Sequence, residues 1–378
     1  MTNQLIIIGN GFDLACGLKS SYGDFFREYF KERLENDKKL SQRYFDASTE
    51  DEQLKLVLDK YLSPEAKKVS NFWFEWFYKN KKPNRIVGFE SIENEYTWSD
   101  IETEIKNCVK LISENFNDYL WSSQVESQPI AEVVRKRKYT EESKIKDGRW
   151  ITKTEFIDLL VKDLKQVELK FVEYLSNAID KNNNYVIDSS RLLLDLCNVD
   201  NDVSHPIIEN TQVLSFNYNN LYQTEGKLFE GHVTNIHGSL EKGDIIFGID
   251  SFKDSTNDNY IFTKTYRLLQ QENSNIPINT NLNLIKFFGH GLGEADYSYF
   301  QSIFDKLNLY KSDVKLIFYY YIYDNNKSYE IRKNNTDKVY KLINEYGQTL
   351  DNKEHGKNLL HKLNIEGRIS LQELKVFL

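Results

Sequence analysis

Four consecutive aliphatic residues, Leu5 to Ile8, run straight into Gly9-Asn10-Gly11, and this junction constrains the fold more than any other stretch of the chain. A short unbroken apolar run rich in β-branched residues predicts a strand buried on both faces, as in parallel sheets. Gly9 and Gly11 permit a tight turn and a close backbone approach, and a helix beginning there would aim its N–H groups at a phosphate. The stretch "LIIIGNGFDLACG" thus outlines a nucleotide cradle. It departs from the dinucleotide fingerprint G-x-G-x-x-G, because position 14 is Leu14 and the next glycine is Gly17. No acidic residue ends a second strand about 20 residues on, since Asp24 and Glu28 fall in an expected helix, so an ordinary dehydrogenase fits poorly.

The remaining chain, 378 residues in all, has room for a large core in one elaborated domain or two. Its net charge of −8 argues against duplex nucleic acid held on a generally basic surface. The one basic cluster, Arg135 to Lys138, is soon followed by Glu141, Glu142 and Asp147 and reads as a solvated loop. Cys16, Cys108 and Cys197 are far apart with no C-x-x-C spacing, which indicates neither a disulfide framework nor a zinc knuckle and fits a reducing cytoplasm. No metal site is expected. Nor is there an apolar run of about 18 residues, so no membrane span is expected.

Capping boxes at Ser21-x-x-Asp24, Ser99-Asp100-Ile101-Glu102 and Thr152-x-x-Glu155 predict three helix starts. Behind the third, Leu160, Leu164, Val167, Phe171 and Leu175 form an apolar stripe that needs a partner, either another helix of the chain or the same helix of a second subunit. The aromatic content of 14% is explained equally well by a well-filled core or by self-association surfaces, and a homo-oligomer is the expectation. Strand signals return at 212–216, 232–236, 244–249, 284–288 and 314–320, while 337–346 and 357–363 read as helices. The fold class expected is α/β, a Rossmann-like, mostly parallel sheet with a large helical insertion after its first strand–helix unit. Residues 1–30 and 205–330 would make a discontinuous nucleotide-binding core, 31–204 the insertion, and 331–378 an extension packed on the core.

Candidate chemistry lies just beyond strand ends, where open parallel sheets place ligands. In "VLSFNYNNL", period-2 alternation puts Ser215, Asn217 and Asn219 on one face, ready to grip a polar group or to satisfy their own loop. His232 and His237 are five apart and face opposite ways on a strand, which disfavours a metal held by both. His237, followed by Gly238, is placed to act as a general base, or else it is structural. In "KFFGHGLGEADYSYF", Gly289, Gly291 and Gly293 repeat the strand-to-glycine junction, and Asp296 either serves a ligand or favours a helix N-terminus.

"IIIGNGFDLACGLKSSYGDF", "WSDIE" at 98–102, "SFNYNNL", "IHG" at 236–238, "IFGI" at 246–249 and "FGHGLGEADYSYF" resemble, in order and spacing, the bacteriophage abortive-infection AbiH family. More remotely, the pattern is similar to sirtuin-like NAD-consuming domains. The resemblance implies a sirtuin-like fold and hydrolysis of NAD or a related dinucleotide, with a phage-derived trigger. Gly9, Asn10 and Gly11, with Phe12 and Asp13, would form the phosphate turn. Asn217 and His237 would be catalytic, and Ser215, Asn219, Gly238, Gly289, His290, Gly291 and Asp296 would contact the ligand. Two departures stand out: Asn219 replaces the aspartate of many such domains, and Gly291 an expected serine. Without paired C-x-x-C motifs, the zinc module of protein deacylases is not expected. Trp98, Asp100 and Glu102 invite either a site role from the insertion or, for Glu102, plain helix capping. A nucleotide-sensing module that binds without cleaving is the alternative, and a nuclease ranks last for want of a carboxylate cluster or basic groove.

Overall fold

The computed structural model describes residues 3–49, 51–53, 55–56, 71–80, 85–86, 89–90, 101–121, 129–138, 151–199, 208–219, 229, 231–250, 258–271 and 276–375. The chain divides into a sheet unit (residues 1–20, 172–246 and 267–378) and a helical unit (21–171 and 247–266).

The sheet unit is built on six parallel strands: β1 (Gln4–Ile8), β2 (Thr211–Ser215), β3 (Val233–Asn235), β4 (Leu284–Phe288), β5 (Lys315–Tyr320) and β6 (Ile369–Glu373). Their spatial order is β3-β2-β1-β4-β5-β6, with β1 paired in register to both β2 and β4. The chain therefore builds outward on one side of β1, then returns to build on the other, which is the 3-2-1-4-5-6 order of doubly wound sheets. Alternation sorts the β1 side chains onto two cores. Leu5 and Ile7 join Phe287, Phe300, Leu316 and Leu342 on one face; Ile6 and Ile8 join Phe12, Leu192, Leu196 and Val213 on the other. All four aliphatic residues of β1 are fully buried, each worth about 1.5–3 kcal/mol of apolar transfer.

Three expectations change. Arg135 to Lys138 is not a solvated loop: it closes the Pro129–Lys138 helix, where Arg137 is buried because Asp163 pairs with it. Residues 244–249 are apolar and buried without forming a strand: Ile246 N bonds His237 O in the sheet unit, and in the helical unit Ile249 makes only an isolated bridge to Thr263. Burial supplied the apolar signal there, and the backbone groups found partners outside a ladder. Conversely β6 gave no strand signal, because this edge strand is only half-buried and carries Ser370 and Gln372 among its apolar residues. The 337–346 expectation is the middle of the long Ser328–Thr349 helix, and 357–363 overlaps the Leu359–Ile365 helix.

In the helical unit, Ser21 caps the Tyr22–Tyr29 helix by accepting from Asp24 N at 3.1 Å. Thr152 and Glu155 form a reciprocal capping box ahead of the Lys153–Lys181 helix. The stripe on that helix is buried from Leu160 to Leu175. Within this unit the Trp73 indole donates to Leu160 O, and the rings of Tyr22, Phe25 and Phe247 pack on Phe171. At its centre, Arg137 holds Asp163 through two bonds of 2.8 and 2.9 Å, while Asp163 also accepts from Phe72 N. Among the described residues no helix is long and apolar enough to cross a membrane.

Candidate functional site

The turn after β1 packs backbone to backbone against the turn after β4. Gly11 N donates to Gly289 O at 2.7 Å, and Gly9 N to Phe288 O at 3.2 Å. A Cβ on Gly11 would come within 2.7 Å of Gly289 Cα, and one on Gly289, whose φ is +70°, would overlap the amide of Phe12. These glycines let two sheet loops meet, and the Gly11 amide is committed within the protein. Gly291 differs: nothing lies within 4 Å of where its Cβ would be. Asn10 opens the short Asn10–Ala15 helix and accepts from Ser20 Oγ at 2.5 Å. Phe12 is fully buried and meets Phe288 edge to face.

Beneath the turn lies a buried polar chain. Asn219 Nδ2 donates to the Tyr185 hydroxyl, which donates to Asp13 Oδ1 at 2.8 Å. Asn217 Nδ2 donates to Gly9 O at 3.1 Å, its own amide bonds Ser215 Oγ, and Asn235 Nδ2 bridges the carbonyls of Asn217 and Asn219 at 2.7 and 3.0 Å. The ends of β1, β2 and β3 are thus tied by side-chain amides. Burial pushes Asp13 up from 3.8 to about 6, against the bonds from Asn219, Tyr185 and Asn217 that pull it down. Tyr185 is driven the same way, by its own burial first and then by the Asp13 charge.

Beside this chain two imidazoles share one carboxylate. His237 Nε2 stands 3.5 Å from Asp296 Oδ1, and His290 Nε2 stands 3.3 Å from Asp296 Oδ2. The first is an electrostatic contact rather than a closed hydrogen bond. Phe216 lies edge-on between the rings, 5.5 Å from His237 and 4.3 Å from His290, and Tyr299 flanks His237. His237 is only 3% exposed. Gly238 turns the chain with φ +83° where Asp244 crowds it.

A cavity of about 640 Å³ opens at the carboxyl ends of β4 and β5. Its walls include Gly11, Leu14, Gly289, His290, Gly291, Tyr320, Asn334 and Lys338, the last two from the Ser328–Thr349 helix. Burial is what holds Lys338 below the usual lysine range. Of the residues expected at the site, Gly11, Gly289, His290 and Gly291 line this cavity, whereas Asn217, Asn219, Ser215 and His237 lie buried in the adjoining polar layer. His290 belongs to both.

Three contributors escaped the sequence reading. Asn235 ends β3 and was accessible to the same alternation argument that found Asn217. Tyr185 and Lys338 carry no local signal, since each reaches the site from a helix distant in sequence. Trp98 and Asp100 lie outside the described residues, as does Ser99, the cap expected for Glu102. In the helical unit, Glu102 accepts from the Tyr22 hydroxyl at 3.2 Å and sits 3.8 Å from Lys264 Nζ. All three cysteines are buried free thiols held above their ordinary range by burial, Cys197 at about 11, which makes them poor nucleophiles. Among the described residues no group of three or more His, Cys, Asp or Glu side chains is placed to hold a metal ion.

No curated protein and no solved structure matches the chain significantly. Residues 5–320, from within β1 to the end of β5, match the family model described as "Bacteriophage abortive infection AbiH", and on that coverage the chain belongs to the AbiH family.

Proposed function

We propose that this AbiH-family protein is an antiphage effector that hydrolyses NAD, or a related dinucleotide, at the nicotinamide–ribose bond in the manner of sirtuin-like domains. The observation that carries the reading is the meeting of the β1 and β4 glycine turns at the point where the sheet reverses direction, with a cavity on one side and the Asn217–His237 layer on the other. Open α/β sheets bind ligands at that crevice. The cavity suits the adenosine half, with Gly291 leaving open space and Lys338 offering a cation to phosphate. The nicotinamide end would then reach toward His237.

Cleavage builds positive charge on the ribose, as in glycoside hydrolysis. A water oxygen bonds to C1′ while the C1′–N bond breaks, and the electron pair leaves with neutral nicotinamide. His237 takes the proton, and Asn217 orients the reacting end. Asn219 lacks the charge that many sirtuin-like domains carry at this place, but its amide shares a hydrogen-bond chain with the carboxyl of Asp13. The sensing alternative draws on that same substitution.

Incubation with NAD, NADP, ATP and RNA, followed by chromatography, is expected to release nicotinamide only. His237→Ala and Asn217→Ala should each lower the rate by about 100-fold or more. A folded His237→Ala protein that still consumes NAD rejects the assignment, and tight NAD binding without nicotinamide release favours the sensor.

A further inference from the structure

One wall of the cavity is built by the chain that follows β5, beyond the family-matched residues 5–320. The Ser328–Thr349 helix turns Ile331, Asn334, Asn335, Lys338 and Val339 toward it, the i, i+3, i+4, i+7 and i+8 positions of one helical face. Ile331 and Val339 are buried, yet the stripe between them is polar, which is costly on an inward face unless something polar meets it. Lys338 is the sharpest case. The other lysines of this helix are matched, Lys333 Nζ with Asp337 at 2.6 Å and Lys341 Nζ with Glu294 at 3.1 Å. Lys338 is half-buried and has no carboxylate within ion-pair reach among the described residues; burial alone holds it below the usual lysine range. Among the described residues lining the cavity the one acid is Glu330, about 12 Å along the helix axis from Lys338.

The glycine turn after β1 offers a phosphate less. The amides of Gly9, Gly11 and Phe12 donate to the carbonyls of Phe288, Gly289 and Gly9 at 3.2, 2.7 and 2.8 Å, so these three donors are already spent within the protein. Tyr323 supplies the other half of the opposite wall. It lies on the connection from β5 to the helix, lines the cavity and is 72% exposed, whereas Tyr320 at the strand end is buried. A planar ring left uncovered at the mouth of a cavity presents a face on which a base can stack. From this wall we propose that residues 321–338 are the specificity-determining part of the site, with Lys338 holding the phosphate of a nucleotide and Tyr323 stacking its base. The proposal rests on the dinucleotide reading above and deepens it: the adenosine half is selected by the segment after β5, outside the family-matched region, rather than by the glycine turn.

Calorimetric titration of the whole chain with ADP-ribose and with adenosine reads this subsite without any chemistry. Lys338→Met should weaken ADP-ribose by about tenfold or more and leave adenosine within about twofold, while Lys338→Arg keeps ADP-ribose within about threefold of wild type. Tyr323→Ala should weaken both ligands by about fivefold or more, and Tyr323→Phe neither. Because Lys338 has no ion pair to lose among the described residues, the ligand-free Lys338→Met protein should melt no lower than wild type. A lower melting temperature would make Lys338 a structural residue and overturn its role. So would ADP-ribose bound as tightly by Lys338→Met as by wild type, and unchanged affinity in Tyr323→Ala overturns the stacking. Nicotinamide release from NAD with KM unmoved in Lys338→Met overturns the subsite and keeps the hydrolytic reading. ADP-ribose binding that depends on Lys338 and Tyr323, in a wild-type protein that releases no nicotinamide, supports the subsite and overturns hydrolysis.

Discussion

Asp13 is a carboxyl with almost no access to water, sitting one turn into the helix that follows β1, and its burial sets the sign of a pH effect. Its folded pKa of about 6 exceeds the ordinary 3.8. Between those values the folded chain binds more protons than the unfolded one, so the stability tied to Asp13 is fully present below about pH 4 and is lost as pH rises through 6. At about 1.4 kcal/mol per unit, the loss is about 3 kcal/mol across the window. Asp13→Asn removes the titration while keeping an acceptor for the Tyr185 hydroxyl. Denaturant unfolding of both proteins at about pH 4 and pH 8 should therefore show their difference in stability moving by about 3 kcal/mol in favour of the variant. A constant difference would mean that Asp13 ionises at its ordinary value. The sequence showed Asp13 only as a member of a turn motif; what makes it titrate near neutrality is its complete burial, which the hydrogen bonds from Tyr185 and Asn219, more than 170 residues away, only partly offset, and no local pattern encodes either effect.

The same divide between local and distant information holds for whole elements. Strands β1, β2, β4 and β5 were legible because buried parallel strands are nearly continuous apolar runs. The run at 244–249 misled for the same reason, since apolar burial does not specify a ladder. Lys286 makes the point within one strand. It interrupts the apolar run of β4 without breaking it, and its fully buried ammonium donates to Leu196 O at 2.8 Å and Val199 O at 2.6 Å. Those carbonyls close the Tyr185–Asn198 helix, where the last turn has no partners of its own and a cation is favoured. Gln4 reinforces the cap through Cys197 O at 3.0 Å. Lys286→Met preserves the stem and removes the donor, so it is expected to lower unfolding free energy by about 2 kcal/mol, read from thermal melts. No change would show that Gln4 and solvent suffice for that helix end.

At the level of the whole molecule, periodicity could name the strands but not their neighbours, and it is the neighbours that make a site. The return of the chain from β3 to the far side of β1 creates the crevice, and it brings Gly11 against Gly289 across 278 positions of sequence. Every residue lining the cavity belongs to the sheet unit. A ligand that binds only the folded state stabilises it by mass action, about 2.7 kcal/mol at a concentration 100-fold above Kd, and slows exchange through openings of the unit that holds it by about the same 100-fold factor. ADP-ribose, which has no nicotinamide bond to break, is the appropriate probe. At saturation it should slow amide exchange in peptides from 9–15, Leu284–Phe288, Lys315–Tyr320 and Ser328–Thr349, and leave those from Ile101–Trp121 unchanged. Equal protection in both sets would place part of the ligand on the helical unit, and protection confined to Ile101–Trp121 would remove the cavity from the account of binding altogether.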